Sequence, residues 1–347
     1  MERVIWTCFQ ITLFRILMED IQTTLDRLTA RFDPRTSVFD ITAERVEDST
    51  LAVRGRLLDK SQLEILAREF SGWKLDSSSV RFLHREDVSR RYVATNLTGL
   101  YEKPTFGMPL SSELYYGTEL EILDEHETWV FTRQRDGYLG WAFKSYLGEG
   151  APVKATHLVL APSYELRAQA DLLSSIVTRL MSGTGVRVEE VQDNWARVTA
   201  NRTGWLPVSL LRPLHELPAS LEEKRNALAG DAARMIGVPY LWGGTSGNGI
   251  DCSGFVRLLH RWIGVDIPRD ADMQHAAAQP VEPPFEIGDL LFFAEGDSKR
   301  KITHVGMSLG GWRMIHASRK HNGVYAEDVR QDASRTQAFI SAGSFLR

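Results

Sequence analysis

Apolar positions change period along the chain. From Glu19 to Phe32 they recur at three- and four-residue intervals, the spacing of one helical face, and Asp33-Pro34 ends the run. Ser37 to Thr42 and Thr50 to Leu57 alternate apolar and polar residues as strands do, with polar Glu44 to Ser49 between them. The helical period returns over Ser61 to Phe70, with Leu63, Leu66, Ala67 and Phe70 on one side, and Val80-Arg81-Phe82-Leu83 reads as a further strand. The order α-β-β-α-β predicts a small α+β domain over residues 18–88 in which no catalytic group stands out.

Short strands separated by turn residues follow, and they repeat. In residues 91–148 the strands are Gly117 to Leu123, Thr128 to Phe131, Gly137 to Trp141 and Tyr146-Leu147. In residues 152–213 they are Gly185 to Val188, Asn194 to Val198, Arg202 to Trp205 and Leu210-Leu211. Each copy resembles a bacterial SH3-like barrel through its W-x-x-V and G-x-x-G-W cadence, with Phe131 or Thr132 standing where Val198 stands in the second. Of Trp129, Trp141, Trp195 and Trp205, most read as barrel core.

Pro207 to Pro218 links to a last domain, residues 221–347. Leu221 to Ile236 has helical spacing, with Leu228, Ala232, Met235 and Ile236 as its buried stripe, and Pro239 stops it. A glycine-rich loop, Trp242 to Gly249, leads to Asp251-Cys252-Ser253-Gly254 and an apolar helical run from Phe255 to Ile263. Pro280 to Pro284 is a connector, and Ile287 to Phe293 is a strand. Ile302 to Leu309 and Trp312 to Ser318 form a hairpin around Gly310-Gly311. This domain therefore reads as helices first, then an antiparallel sheet.

The chain has 347 residues, 43% of them hydrophobic and 25% charged, which predicts several soluble domains. A formal net charge of −4 leaves no nucleic-acid footprint. Cys8 and Cys252 lie in unrelated contexts, so no disulfide framework and no paired-cysteine zinc motif is expected. Residues 1–17 are apolar but interrupted by Gln10 and Arg15, too short to span a membrane, and no small-residue cleavage site follows. They are expected to be an extension upstream of Met18, with a weak export signal as the alternative.

Candidate chemistry lies in the last domain. Cys252 sits where a loop becomes a helix, and free backbone N–H groups and the helix dipole there favour a thiolate. The hairpin places His304 and His316 on neighbouring strands. A cysteine with one histidine as base and a second polar group orienting it is a nucleophile constellation. The competing readings are a small buried cysteine and a zinc site of Cys252, His304 and His316. His260 stands more than two turns from Cys252 along the helix; His275 and His321 are likewise not recruited.

Asp-Cys-Ser-Gly-Phe, Thr-His-Val-Gly and Ile-His-Ala-Ser, in this order, resemble the NlpC-type papain-like cell-wall peptidases over roughly residues 225–347. Pro239 to Gly244 and Ile267-Pro268-Arg269 match as well. The resemblance implies a multidomain α+β chain: a small N-terminal α+β domain, two SH3-like barrels and a papain-like peptidase domain. It implies Cys252 as nucleophile, His304 as base, His316 orienting that base, Tyr240 with the Cys252 N–H as oxyanion donors, and no cofactor.

Barrels directly ahead of such a domain resemble the recycling γ-D-glutamyl-L-diamino acid endopeptidases, the dipeptidyl-peptidase VI type. These act on murein tripeptides or tetrapeptides with a free N-terminal L-alanine. On that likeness Asp251, Tyr138 and either Glu113 or Glu102 would surround the substrate ammonium, Arg269 would receive the D-glutamate carboxylate, and Ser253 would line the pocket. Plain readings stand beside these: Asp251 as helix cap, Glu102 and Glu113 as solvated acids, Arg269 in a surface ion pair, Tyr240 packed on Trp242. The chain is expected to be a cytoplasmic monomer without nucleic-acid or membrane partners; a secreted autolysin, a non-catalytic binding protein and an acyltransferase are the rivals.

Overall fold

The computed structural model describes residues 21–294 and 302–346, so the expectation for residues 1–17 lies outside the described residues. The chain divides into two compact units. One takes in residues up to Ser89 with Glu121–His126 and Val130–Leu139; the other takes in Arg90–Leu120, Glu127–Trp129 and Gly140–Arg347.

In the first unit Phe39–Glu47 pairs antiparallel with Thr50–Leu57, which pairs parallel with Lys74–Phe82. Parallel strands need a crossover, and the helix Lys60–Glu69 supplies it. A second helix covers residues 21–29. Leu25, Leu28, Leu51, Leu57, Leu66 and Phe70 form the core. The helical stripe differs from expectation at two positions: Ala67 is exposed and Gln62 is buried. Gln62 is inside because its amide accepts from Leu58 N at 2.6 Å and donates to Ser37 Oγ at 2.7 Å, closing a capping box with Asp59.

In the second unit the second barrel has seven strands. Their order is Ile176–Met181, Ser163–Arg167, Thr203–Pro207, Trp195–Thr199, Gly185–Gln192, His157–Val159, Leu211–Pro213. Its core is Val159, Leu166, Leu180, Val186, Val198 and Leu206. The tryptophans correct the sequence expectation. Trp129 is buried, but Trp141, Trp195 and Trp205 are half-buried. Side chains alternate across a strand, and in Thr203–Pro207 the inward positions belong to Gly204 and Leu206.

The last domain packs the helix Cys252–Trp262 on a six-stranded sheet and the helix Leu221–Ala232 against that helix. That sheet runs Gln279–Val281, Phe339–Ser344, Leu290–Phe293, His304–Ser308, Arg313–Ser318, Gly323–Asp328, with every neighbouring pair antiparallel. Phe255, Leu259, Trp262, Val305, Met307 and Ile315 fill the space between helix and sheet. The helix from Leu221 ends earlier than its pattern suggests and tightens into a 3₁₀ turn, Ala233–Met235, which leaves Ile236 exposed.

Candidate active site

Cys252 is the first residue of the helix Cys252–Trp262. Asp251 caps it, accepting the Gly254 N–H at 2.7 Å. Gly254 is required by crowding: a Cβ there would lie 2.4 Å from Gly244 O. The loop ahead turns at Gly243, whose φ is +76° and whose N–H donates to Asp251 Oδ2 at 2.9 Å.

The Cys252 sulfur accepts backbone N–H groups from Ser253 and from Val305, the residue after His304. Burial, followed by the Asp251 carboxylate, pushes the thiol up to about 12 against these amides. The amides that the helix start was expected to offer are present, and desolvation opposes them. Tyr240 is held protonated by burial and by the nearby Cys252 and Asp251, so its hydroxyl stays a donor.

His304 Nε2 and His316 Nδ1 are 2.7 Å apart, across neighbouring strands, with both rings buried. Burial first, then His316 and Arg335, hold the His304 imidazole well below its ordinary value. Zinc ligands aim at one common point; here these two nitrogens face each other at hydrogen-bond distance. Behind them His316 Nε2 lies 3.2 Å from Glu327 Oε1. The same carboxylate lies 3.2 Å from Arg335 Nε and 3.7 Å from His321 Nε2. The hydrogen bond from His316 is the largest influence holding Glu327 below the usual carboxylate range. Glu327 went unnoticed in the sequence because it sits on a third strand, diagonal to His316, a relation that only the register His316↔Tyr325 and Met314↔Glu327 reveals.

The remaining sequence-predicted residues divide. Arg269 is 1% exposed, which corrects the surface ion pair. Its guanidinium grips Asp251 with two bonds of 3.1 and 2.6 Å, and also donates to Ser253 Oγ at 3.0 Å and Ser112 Oγ at 3.1 Å. Asp251 is therefore more than a cap. Glu113, next to Ser112 on the strand Leu110–Tyr115, is buried rather than solvated and accepts the Thr245 N–H at 2.7 Å. Its desolvation raises the carboxyl above its ordinary value, partly offset by hydrogen bonds from Thr245 and Ser246 and by Arg269. Glu102 is exposed on the loop after Leu97–Tyr101. Tyr138 belongs to the first unit, where it is buried and its N–H donates to Asp136 Oδ1 at 3.1 Å. Tyr240 is half-buried; Arg319 lies over its ring at 6.0 Å and over Trp242 at 5.8 Å.

Family models match residues 237–342 to the NlpC/P60 family and residues 100–145 to the bacterial dipeptidyl-peptidase Sh3 domain. The chain carries an NlpC/P60 domain and a bacterial dipeptidyl-peptidase SH3 domain. Among curated proteins it is 29% identical to the γ-D-glutamyl-L-lysine dipeptidyl-peptidase of Bacillus subtilis, over 60% of this chain and 72% of that one. It is 28% identical to dipeptidyl-peptidase 6 of Lysinibacillus sphaericus, over 72% of this chain and 98% of that one. Its fold matches the crystal structure of an NlpC/P60 family protein from Bacillus cereus with a TM-score of 0.64 and 22% identity, covering 75% of this chain and all of the other. The NlpC/P60 match contains Tyr240, Cys252, His304 and His316, and the SH3 match contains Glu113.

Proposed function

We propose that the chain is a cysteine peptidase that cleaves the γ-D-glutamyl bond to a diamino acid in murein peptides with a free N-terminal L-alanine. The observation that carries the reading is the continuity of the site. The Cys252 helix start and the His304–His316 pair adjoin a buried polar chain, Asp251–Arg269–Ser112, that ends beside Glu113 on a barrel strand.

In this reading His304 removes the Cys252 proton as the sulfur attacks the γ-carbonyl carbon. The tetrahedral oxyanion is met by Tyr240 Oη–H and the Cys252 N–H. The bond to the diamino acid nitrogen breaks as His304 returns the proton to it, leaving a thioester that water hydrolyses. Neutral thiol and neutral imidazole at rest mean that charge separates only as the reaction proceeds. Asp251 and Glu113 offer negative charge for the substrate ammonium, while Arg269 acts by holding Asp251 in place.

The test is incubation with L-Ala-γ-D-Glu-meso-diaminopimelate, its L-lysine counterpart and their N-acetylated forms, with products identified by mass. Release of L-Ala-γ-D-Glu from the free tripeptides is expected, and a Cys252→Ala variant should show none. Equal cleavage of acetylated peptides, or of stems joined to glycan, would replace the recycling role with that of an autolysin. Inhibition by EDTA but not by iodoacetamide would instead support a metal site.

A further inference from the structure

We infer that Glu327 is a positioning residue of the catalytic relay, fixing through His316 which nitrogen of His304 serves as the base. The inference rests on the peptidase reading for its kinetic arm and on geometry alone for the rest. A carboxylate only accepts hydrogen bonds. With Oε1 3.2 Å from His316 Nε2, the Glu327 carboxylate draws the imidazole proton to that nitrogen. Neutral His316 consequently presents a bare Nδ1, which is 2.7 Å from His304 Nε2 and can only accept from it. His304 is thereby the Nε2–H tautomer, and its lone pair is on Nδ1, the one ring nitrogen left for the Cys252 thiol. A single acid two residues behind the base thus sets the tautomers of both imidazoles.

The surroundings fit this role. Glu327 meets His316 from the neighbouring strand, Arg335 from the helix Ala333–Ala338 and His321 from the loop after Arg313–Ser318. Arg335 also bears on His304 electrostatically, lowering its proton affinity. Glu327 thus faces the positive charge of Arg335 on one side and the His316 ring on the other. When the thiol proton reaches His304, the positive charge spreads through His316 toward Glu327.

Two arms test this. Nitrogen-15 spectra of the histidine rings, taken without substrate, should show His316 protonated at Nε2 and bare at Nδ1; in Glu327→Ala they should show mixed tautomers. A wild-type His316 protonated at Nδ1 overturns the inference, whatever the protein hydrolyses. In the kinetic arm, Glu327→Gln keeps the shape and removes the charge. It should lower kcat about tenfold with KM nearly unchanged, and Glu327→Ala about a hundredfold, the lower end of what general acid–base catalysis contributes. The anion favours a protonated histidine pair, so its removal should move the acid limb of kcat/KM to lower pH. Wild-type kcat and an unmoved limb in Glu327→Gln, or a loss explained wholly by fewer folded molecules in thermal melts, overturns the inference. Failure of the wild type to cleave the tripeptides sinks the proposed function instead and leaves the nitrogen spectra decisive here.

Discussion

The two barrels share a cadence of tryptophans and glycines but meet the Cys252–Trp262 helix with different chemistry. From the first barrel, the strand Leu110–Tyr115 engages the helix start through side chains. Ser112 bonds Arg269, Glu113 bonds Thr245, and the Tyr115 hydroxyl bonds Thr245. From the second, the hydrogen bonds fall at the helix end and go to backbone acceptors. Arg212 donates to Trp262 O at 3.0 Å, capping a last carbonyl, and Arg261 donates to Gly183 O at 3.0 Å. A repeated fold therefore does not imply a repeated role. On the proposed function, the buried ionisable groups beside the sulfur would bear on chemistry and the bonds some three turns away on stability.

The largest effect should come from breaking the buried pair on the first-barrel side. Arg269→Met leaves Asp251 buried without its two-pronged partner. Losing one member of such a pair costs about 3–5 kcal/mol, and the carboxylate that accepts the Gly243 N–H is no longer held by the guanidinium. Thermal melts should fall steeply and kcat/KM on the tripeptide by at least about a hundredfold. Arg269→Met combined with Asp251→Leu should recover part of the stability but none of the activity. Recovery of both would mean the pair is only a strut.

Next in size is Glu113→Gln. The amide still accepts from Thr245 N–H, so the fold should hold. The lost charge is worth about 1.5–3 kcal/mol if it faces an ammonium, which is roughly tenfold or more in kcat/KM. The penalty for N-acetylated substrate should shrink correspondingly. An unchanged ratio between free and acetylated peptides would leave Glu113 a structural acid and make the two barrels alike.

What could be read from residues alone follows the same division. The loop-to-helix step at Cys252 and the His304/His316 hairpin were legible because each is encoded within a few consecutive residues. The buried place of Arg269 was not. Its partners are Asp251, Ser253 and Ser112, and no local period links them. Gln62 was misplaced because polarity alone says nothing about a capping box, and the half-buried tryptophans because apolar size was read without strand parity. Glu327 needed the sheet register.

A third comparison addresses the far end of the helix. Arg212→Met removes the bond to Trp262 O and the 2.8 Å ion pair with Asp231. Asp231 keeps Arg234 at 3.3 Å, so the cost should be about 1–3 kcal/mol, the range for a lost bond to a charged group. The melting temperature should drop by several degrees while kcat/KM per folded molecule stays unchanged. A tenfold fall in kcat/KM with an intact melt would contradict the division of roles.

The smallest effect lies at the seam between the barrels, and its sign can be worked out. Asn96 Nδ2 donates to Thr178 Oγ1 at 2.7 Å, whereas Asn96 Oδ1 is buried with no hydrogen-bond partner among the described residues. Asn96→Ala loses a neutral hydrogen bond worth about 1 kcal/mol but also removes an acceptor whose burial is itself unfavourable. The two terms oppose, so the net change should be within about 0.5 kcal/mol. Thr178→Val loses the same bond and keeps both buried polar ends of Asn96, one of them newly unpaired. It should therefore be the worse change, by about 1 kcal/mol, although it alters less of the molecule. Urea titrations of the two variants decide the order. If Asn96→Ala proves the more damaging, the carbonyl has an unseen partner and the seam is held more tightly than a single bond allows.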